Sequence, residues 1–262
     1  MTPLTVGNAR VKEARKLSRR SVRTERRLFL ADGPKAVEGA LEVPDRVVEV
    51  FATPSAAEQH AALLAGADAT LVDDRALASL SDAVNPAGLV AVVRHFDQAV
   101  DDMLDANGML VICADIRDPG NAGTVLRTAD AAGAHAVVFA GQSVDPYNPK
   151  TVRASVGSLF HVPFAIDSDP EGLIRNAQAN GWVVLAADGG GEVDLFEADD
   201  LLNQRVAWLF GNEAWGLPAE LAELADHRVR IPIHGRAESL NLATAAALCL
   251  YASARSLRNQ GH

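Results

Sequence analysis

Cysteine is scarce in this 262-residue chain: Cys113 and Cys249 both sit in apolar stretches, and no CxxC pair or Cys/His cluster accompanies them. That pattern excludes a disulfide scaffold and a structural zinc site, leaves no metal centre to expect, and points to buried, reduced thiols in a cytosolic protein. No segment approaches the ~20 apolar residues needed to span a bilayer. The opening MTPLTVGNARVKEARKL lacks the apolar core of a secretion signal. A soluble, cytoplasmic protein with no membrane partner is expected. Nucleotide fingerprints are missing as well: no GxGxxG follows a strand and opens a helix, and there is no Walker loop, metalloprotease helix or GxSxG elbow. The Gly189–Gly191 run leads into Glu192 and an acidic loop, which is poor phosphate-binding material. These absences weigh against a small-molecule enzyme of the dinucleotide-binding kind.

What is present is a chain that is 48% hydrophobic, long enough for one large or two modest domains with a core of their own. Its net charge of −10 is unevenly spread. Residues 1–30 hold nine cations (Arg10, Lys12, Arg15, Lys16, Arg19, Arg20, Arg23, Arg26 and Arg27) against Glu13 and Glu25, a local +7 that leaves −17 for the rest. An acidic body with a basic arm can still hold RNA, because phosphate contacts are short-range and screened by salt. The plainer alternative is a solvated basic helix.

Residues 8–20 read as a helix with cations on most faces, a poor core element. Short strand and helix patterns follow to residue 95: residues 28–42 read as a short strand, a turn at Gly33-Pro34 and an amphipathic helix, followed by strands over 47–53, 69–74 and 89–95 and helices over 56–66 and 76–82. The polar stretch 96–108 reads as a connector. Beyond it, strand patterns (109–115, 135–141, 161–167, 182–188, 205–211, 227–233) alternate with helical ones (121–133, 149–157, 171–181, 239–255). This alternation predicts a mostly parallel, doubly wound sheet with helices on both faces. The predicted division is residues 1–96 as a small α/β domain with a basic arm over 1–27, a linker over 97–108, and a second domain over 109–262.

In open parallel sheets, ligands bind beyond the carboxyl ends of the strands. Three polar, glycine-rich segments fall there: 115–133, 209–218 and 231–245. In the first, Pro119-Gly120 predict a turn and Asn121 a helix N-cap, with the N–H groups of residues 122–124 free for an anion. Arg127 stands in the second helical turn, either facing the crevice or paired at the surface. In the second, Gly211 lets a ligand approach the backbone, and Glu213 either caps a helix near Pro218 or faces a substrate. In the third, Ser239 suits an N-cap. Asn241, two residues into an apolar helix, needs a hydrogen-bond partner if buried.

Together these segments resemble the three motifs of the SpoU/TrmH family of RNA ribose 2′-O-methyltransferases, in the SPOUT superfamily. The patterns are NxGxxxRTAxxxG (121–133), LxxGNExxGL with Leu209 one residue closer to the glycine, and IPxxGxxxSLN (231–241). GNARVKEARKL…FLADGPKAVEGAL and SDAVNPAGLVAVV are similar to the family's small N-terminal substrate-binding domain, of ribosomal L30e type. The resemblance implies a class IV methyltransferase whose C-terminal segment threads a deep trefoil knot, and a homodimer assembled across the knot with the 239–255 helix at its interface. The methyl donor it implies is S-adenosylmethionine, contacted at Leu209, Gly211, Ile231 and Leu240 largely through backbone atoms. Catalytic positions fall on Asn121, Arg127, Glu213, Ser239 and Asn241. Arg127 would clamp an RNA phosphate and polarise the hydroxyl, with Glu213 orienting Arg127 or the ribose. Arg10, Lys12, Arg15, Lys16, Arg19 and Arg20 are the expected RNA contacts. A two-domain layout favours ribosomal RNA as substrate over transfer RNA. A catalytically silent RNA-binding relative is the rival reading.

Overall fold

The computed structural model describes residues 2–105 and 107–259, so Ala106 of the expected linker and residues 260–262 lie outside the described residues. The chain forms two compact units. The first takes in the chain up to Phe96 together with Asp145–His161, and the second Asp97–Val144 and the chain from Val162 on.

The first unit is built on a four-stranded sheet of β1 (Leu28–Asp32), β2 (Val47–Ala52), β3 (Ala69–Leu71) and β4 (Leu89–Arg94), in the order β1-β4-β2-β3. Only β2 and β3 run parallel. β4 is central, which explains its unbroken apolar run: five of its six residues are buried. The basic N-terminal stretch departs from expectation. It folds as a helix Ala9–Arg15 capped by the Asn8 side chain, a 3-10 turn Lys16–Ser18, and a helix Arg20–Arg26. Val11, Ala14 and Leu17 are buried and Arg23 is only 2% exposed. The cations are therefore not on every face, since the 3.6-residue repeat aligns Val11, Ala14 and Leu17 into an apolar stripe that joins the core with Phe51, Val72 and Val90. The predicted helix over 56–66 is shorter, Pro54–Gln59, and the strand over 69–74 ends at Leu71.

The segment Asp145–His161 completes this unit. The Arg23 guanidinium donates from Nε and Nη2 to Asp145 Oδ2, at 2.9 and 2.6 Å, and from Nη1 to the Leu17 and Ser18 carbonyls. A desolvated arginine is tolerated only when its donors are matched in this way. Beyond Asp145, the Tyr147 ring packs against Phe29 at 4.7 Å and His95 at 3.8 Å. The helix Pro149–Ala154 follows.

The second unit contains a seven-stranded, wholly parallel sheet. Its strands are β5 (Met109–Ala114), β6 (Ala136–Ala140), β7 (Phe164–Asp167), β8 (Val183–Ala187), β9 (Val193–Asp194), β10 (Val206–Phe210) and β11 (His227–Arg230), in the order β7-β6-β5-β10-β8-β11-β9. Every residue of β5, β6 and β10 is buried. Along β10 the side chains alternate between two covered faces. Ala207 and Leu209 join the core that holds Leu173, Ile174 and Leu221 of the helices Pro170–Ala179 and Ala219–Leu224. Trp208 points the other way and donates from its indole N–H to Ser253 Oγ at 2.9 Å, on the long helix Leu242–Asn259. That helix packs on the helix Pro119–Ala132. The expected polar connector is partly core, because its helix Val100–Leu104 buries Met103 and Leu104. Both cysteines are buried, and burial pushes both thiols well above their usual range. Among the described residues no helix is long and apolar enough to cross a membrane.

Candidate active site

The site forms where β5, β8, β10 and β11 of the second unit end. β10 runs into Gly211, where a Cβ would lie 2.5 Å from the Leu217 nitrogen and closer still to the Gly216 carbonyl. The chain's own return thus requires the glycine. That return is a tight turn: Asn212 N–H and Gly216 N–H each donate to the other residue's carbonyl at 2.9 Å, and Gly216 takes φ +72°. Asn212 anchors the turn. Its Oδ1 accepts from Ala214 N–H at 2.8 Å and its Nδ2 donates to the Asp115 carbonyl at 2.7 Å. Asp115, just past β5, adopts a left-handed φ of +57°, and its carboxylate accepts from Gln142 N–H at 2.6 Å. The ends of β5, β6 and β10 are fastened together through these bonds.

The next residue in the turn links the remaining motifs. Glu213 accepts from the Arg117 and Asp118 N–H groups, each at 3.0 Å, and from Asn121 Nδ2 at 3.3 Å. Asn121 Oδ1 in turn accepts from Asn241 Nδ2 at 3.1 Å, and Asn241 Oδ1 accepts from the N–H groups of Ala243 and Thr244. One chain of amides and a carboxylate therefore ties all three polar segments. Each member also corrects a cap expectation. Asp118, not Asn121, caps the helix Pro119–Ala132, with Pro119 as its first residue. Asn241, not Ser239, caps the long helix, so its amide sits at the helix start rather than inside it. Glu213 gives no cap to the helix Ala219–Leu224, whose N-terminus has no side-chain cap. Gly133 does close its helix in the left-handed conformation, as expected.

Beside this network lies a pocket of about 250 Å³. Its walls come from the ends of β8 (Ala187 to Gly189), β10 (Phe210, Gly211) and β11 (Val229, Ile231), and from Ser239 and Leu240 in the third loop. Three of the four expected donor contacts meet here: Gly211, Ile231 and Leu240. Leu209 does not line it, because alternation along β10 turns its side chain into the opposite core. The Gly189–Gly191 loop, dismissed as phosphate-binding material, supplies one wall through Gly189. Asp188 and Glu238 also line the pocket and had no motif to mark them; only the strand-end position of Asp188 was legible. Arg127 is exposed on its helix and does not line the pocket. Among the described residues it has neither an ion pair nor a hydrogen bond to Glu213, which is instead committed to the 117–121 backbone and Asn121.

In the first unit the six expected RNA contacts divide. Arg10 pairs with Glu49 at 2.5 Å and Lys16 with Glu13 at 2.6 Å. Lys12, Arg15, Arg19 and Arg20 are exposed and have no ion pair among the described residues.

A mainly apolar crevice at the strand ends of a parallel sheet, bordered by a fixed set of amides and carboxylates, defines a ligand-binding α/β enzyme unit. Residues 108–251 match the SpoU rRNA Methylase family and residues 8–91 the MRM3-like substrate binding domain. The chain belongs to the SpoU rRNA methylase family and is a methyltransferase. It is 32% identical to the 23S rRNA (guanosine(2553)-2′-O)-methyltransferase RlmP of Bacillus subtilis, over 93% of this chain and 95% of that protein. The AdoMet-bound rRNA methyltransferase structure from Sinorhizobium meliloti superposes with a TM-score of 0.85 at 35% identity, covering 98% of both chains. The SpoU methyltransferase AviRb of Streptomyces viridochromogenes superposes equally well, at 0.85 and 30% identity, over 97% of this chain and 99% of that one.

Proposed function

We propose that this chain transfers a methyl group from S-adenosylmethionine to the 2′-hydroxyl of a ribose in ribosomal RNA. The observation that carries the reading is the Asn241–Asn121–Glu213 chain of hydrogen bonds beside the strand-end pocket. It places three separately encoded polar motifs at one point. The pocket fits the donor chemically: its apolar side chains (Phe210, Val229, Ile231, Leu240) suit an adenine ring, and the carboxylates of Asp188 and Glu238 suit hydroxyl and ammonium groups. Gly211, Ile231 and Leu240 would hold the donor. When bound, it supplies an electrophilic methyl group, so the protein's task is alignment of the ribose oxygen and removal of its proton.

Asn121, Glu213 and Asn241 keep the loops rigid, and Ser239, exposed in the pocket wall, is placed to meet the ribose. Arg127 clamps an RNA phosphate and polarises the hydroxyl. A guanidinium, which stays protonated in proteins, is a poor base, so the proton departs late, to water. The first unit, with the exposed cations Lys12, Arg15, Arg19 and Arg20, holds the RNA; of the expected division at 1–96, 97–108 and 109–262 it keeps the boundary at residue 96, with 97–108 going to the second unit and Asp145–His161 serving the first. The C-terminal segment is knotted and the enzyme is a cytoplasmic homodimer. In support of the dimer, the long helix exposes Leu248 and Tyr251, at 38% and 53%, three residues apart on one stripe.

The test is Arg127→Ala in a tritiated-methyl transfer assay on unmodified 23S rRNA transcript. We expect transfer to be abolished while the S-adenosylmethionine dissociation constant and the oligomeric state stay as in the wild type. Wild-type turnover by that variant removes Arg127 from the mechanism.

A further inference from the structure

The chain has three tryptophans, and two of them are core residues: Trp182 and Trp208 are 2% and 0% exposed. Trp215 is 61% exposed. It is not on a loose loop. It sits in the Asn212–Gly216 turn, which is closed by two backbone hydrogen bonds and anchored by Asn212 to the Asp115 carbonyl. A large apolar side chain presented by a rigid turn gains little for the fold, so its use lies outside it. The position is informative too. Ala214 and Gly216 on either side line the pocket, and Glu213 one residue earlier belongs to the network that joins the three motifs.

Charge narrows the choice of partner. The second unit carries nine Lys and Arg against 21 Asp and Glu, a net −12. Next to the pocket, Glu213 and Glu238 are exposed. Away from the Arg127 clamp, RNA phosphates brought here meet repulsion from these carboxylates, whereas the neutral face of a base can gain affinity without it. Stacking on an aromatic ring does that, and it requires a base already out of its helix. A nucleotide that presents its 2′-oxygen to the pocket carries its base one ribose away, beside the pocket's edge.

We propose that Trp215 is the stacking platform for an unpaired RNA base at the target site. This rests on the methyl-transfer reading. It makes the enzyme selective for a nucleotide in a single-stranded or opened segment. A second copy of the chain has its own apolar surface in Leu248 and Tyr251, whereas Trp215 has the charged Glu213 two residues before it.

The experiment compares wild type, Trp215→Ala and Trp215→Phe on unmodified 23S rRNA transcript. In Trp215→Ala we expect the KM for RNA to rise about tenfold, within the range of one lost base stack, with kcat changed less. Trp215→Phe should keep most of the affinity. Calorimetric S-adenosylmethionine affinity and sedimentation should match the wild type in both variants. Tryptophan emission should fall when transcript is added to the wild type and stay constant in Trp215→Phe, since the other two indoles are buried. A wild-type KM in Trp215→Ala overturns the proposal. A parallel loss of donor affinity places Trp215 on the donor instead, and a change of oligomeric state places it on a second copy; each overturns the proposal as well. A wild type that fails to methylate the transcript refutes the methyl-transfer reading separately, and the emission change then still decides the stacking.

Discussion

Replacing Gly211 by alanine tests the construction of the pocket directly. The new Cβ would stand 2.5 Å from Leu217 N and nearer still to the Gly216 carbonyl, all backbone atoms that no rotamer change can move aside. Ordinary carbon contacts lie at about 3.5–4.0 Å, so the turn must retreat by about 1 Å. Forced overpacking of this kind costs about 1–3 kcal/mol. For a unit of this size that corresponds to a fall in Tm of about 2–12 °C. The displaced turn carries Glu213, whose 3.3 Å bond from Asn121 has little slack, and it forms one wall of the pocket. We therefore expect S-adenosylmethionine affinity to fall at least about tenfold, equivalent to 1.4 kcal/mol. Differential scanning fluorimetry with and without the donor, together with titration calorimetry, reads both effects. Gly235→Ala is the matched control, because its Cβ would meet nothing within 4 Å and the residue is outside the pocket lining. A Gly211→Ala protein with wild-type Tm and wild-type affinity refutes the account.

Two further outcomes are expected. Removing the N-terminal 27 residues would strip Val11, Leu17 and Arg23 from the core, so RNA contact is better probed by replacing Lys12, Arg15, Arg19 and Arg20 with glutamine. If all four meet phosphates, the slope of log K against log salt should become shallower by about 3, and an unchanged slope places the RNA elsewhere. Asp32 is buried, bonded to Ser81 Oγ at 2.5 Å and 3.6 Å from Arg153, and desolvation outweighs both partners to raise its pKa. A raised folded-state value means that its contribution is fully present below the ordinary carboxylate range and is lost as pH rises through the raised value. Asp32→Asn should therefore gain in Tm relative to the wild type as pH rises above about 4, and a difference that shrinks as pH rises contradicts the assignment.

Much of the second unit could be read along the chain because its signals are local. The unbroken apolar runs at 109–114, 136–140 and 206–210 are strands covered on both faces, and the first two motifs lie at the ends of the first and third of these runs. Strand-end position also made Gly211 and Ile231 candidates for the pocket they do line. The capping assignments failed for a non-local reason. Asn121 and Glu213 each stand where a cap is plausible within their own segment, but their partners lie up to 120 residues away in sequence, and Asn241 takes the cap position that Ser239 suits locally. Leu209 stays out of the pocket lining because strand alternation sets its side chain into the opposite core.

The amino-acid sequence alone determined most element types, though not the helix Val100–Leu104 or the short β9, together with the parallel character of the second unit's sheet and the three segments that bear the chemistry, since periodicity and glycine or proline punctuation act within a few residues. Tertiary structure decided the rest. Insertion of β10 between β5 and β8 brings the three motifs to one set of strand ends, and no local rule specifies strand order. The same holds for Asp145–His161, which reads as one more helix of the alternation. It belongs with the first unit because the Arg23 guanidinium, 122 residues away, is matched there by Asp145, and because Tyr147 fills the aromatic cluster around Phe29.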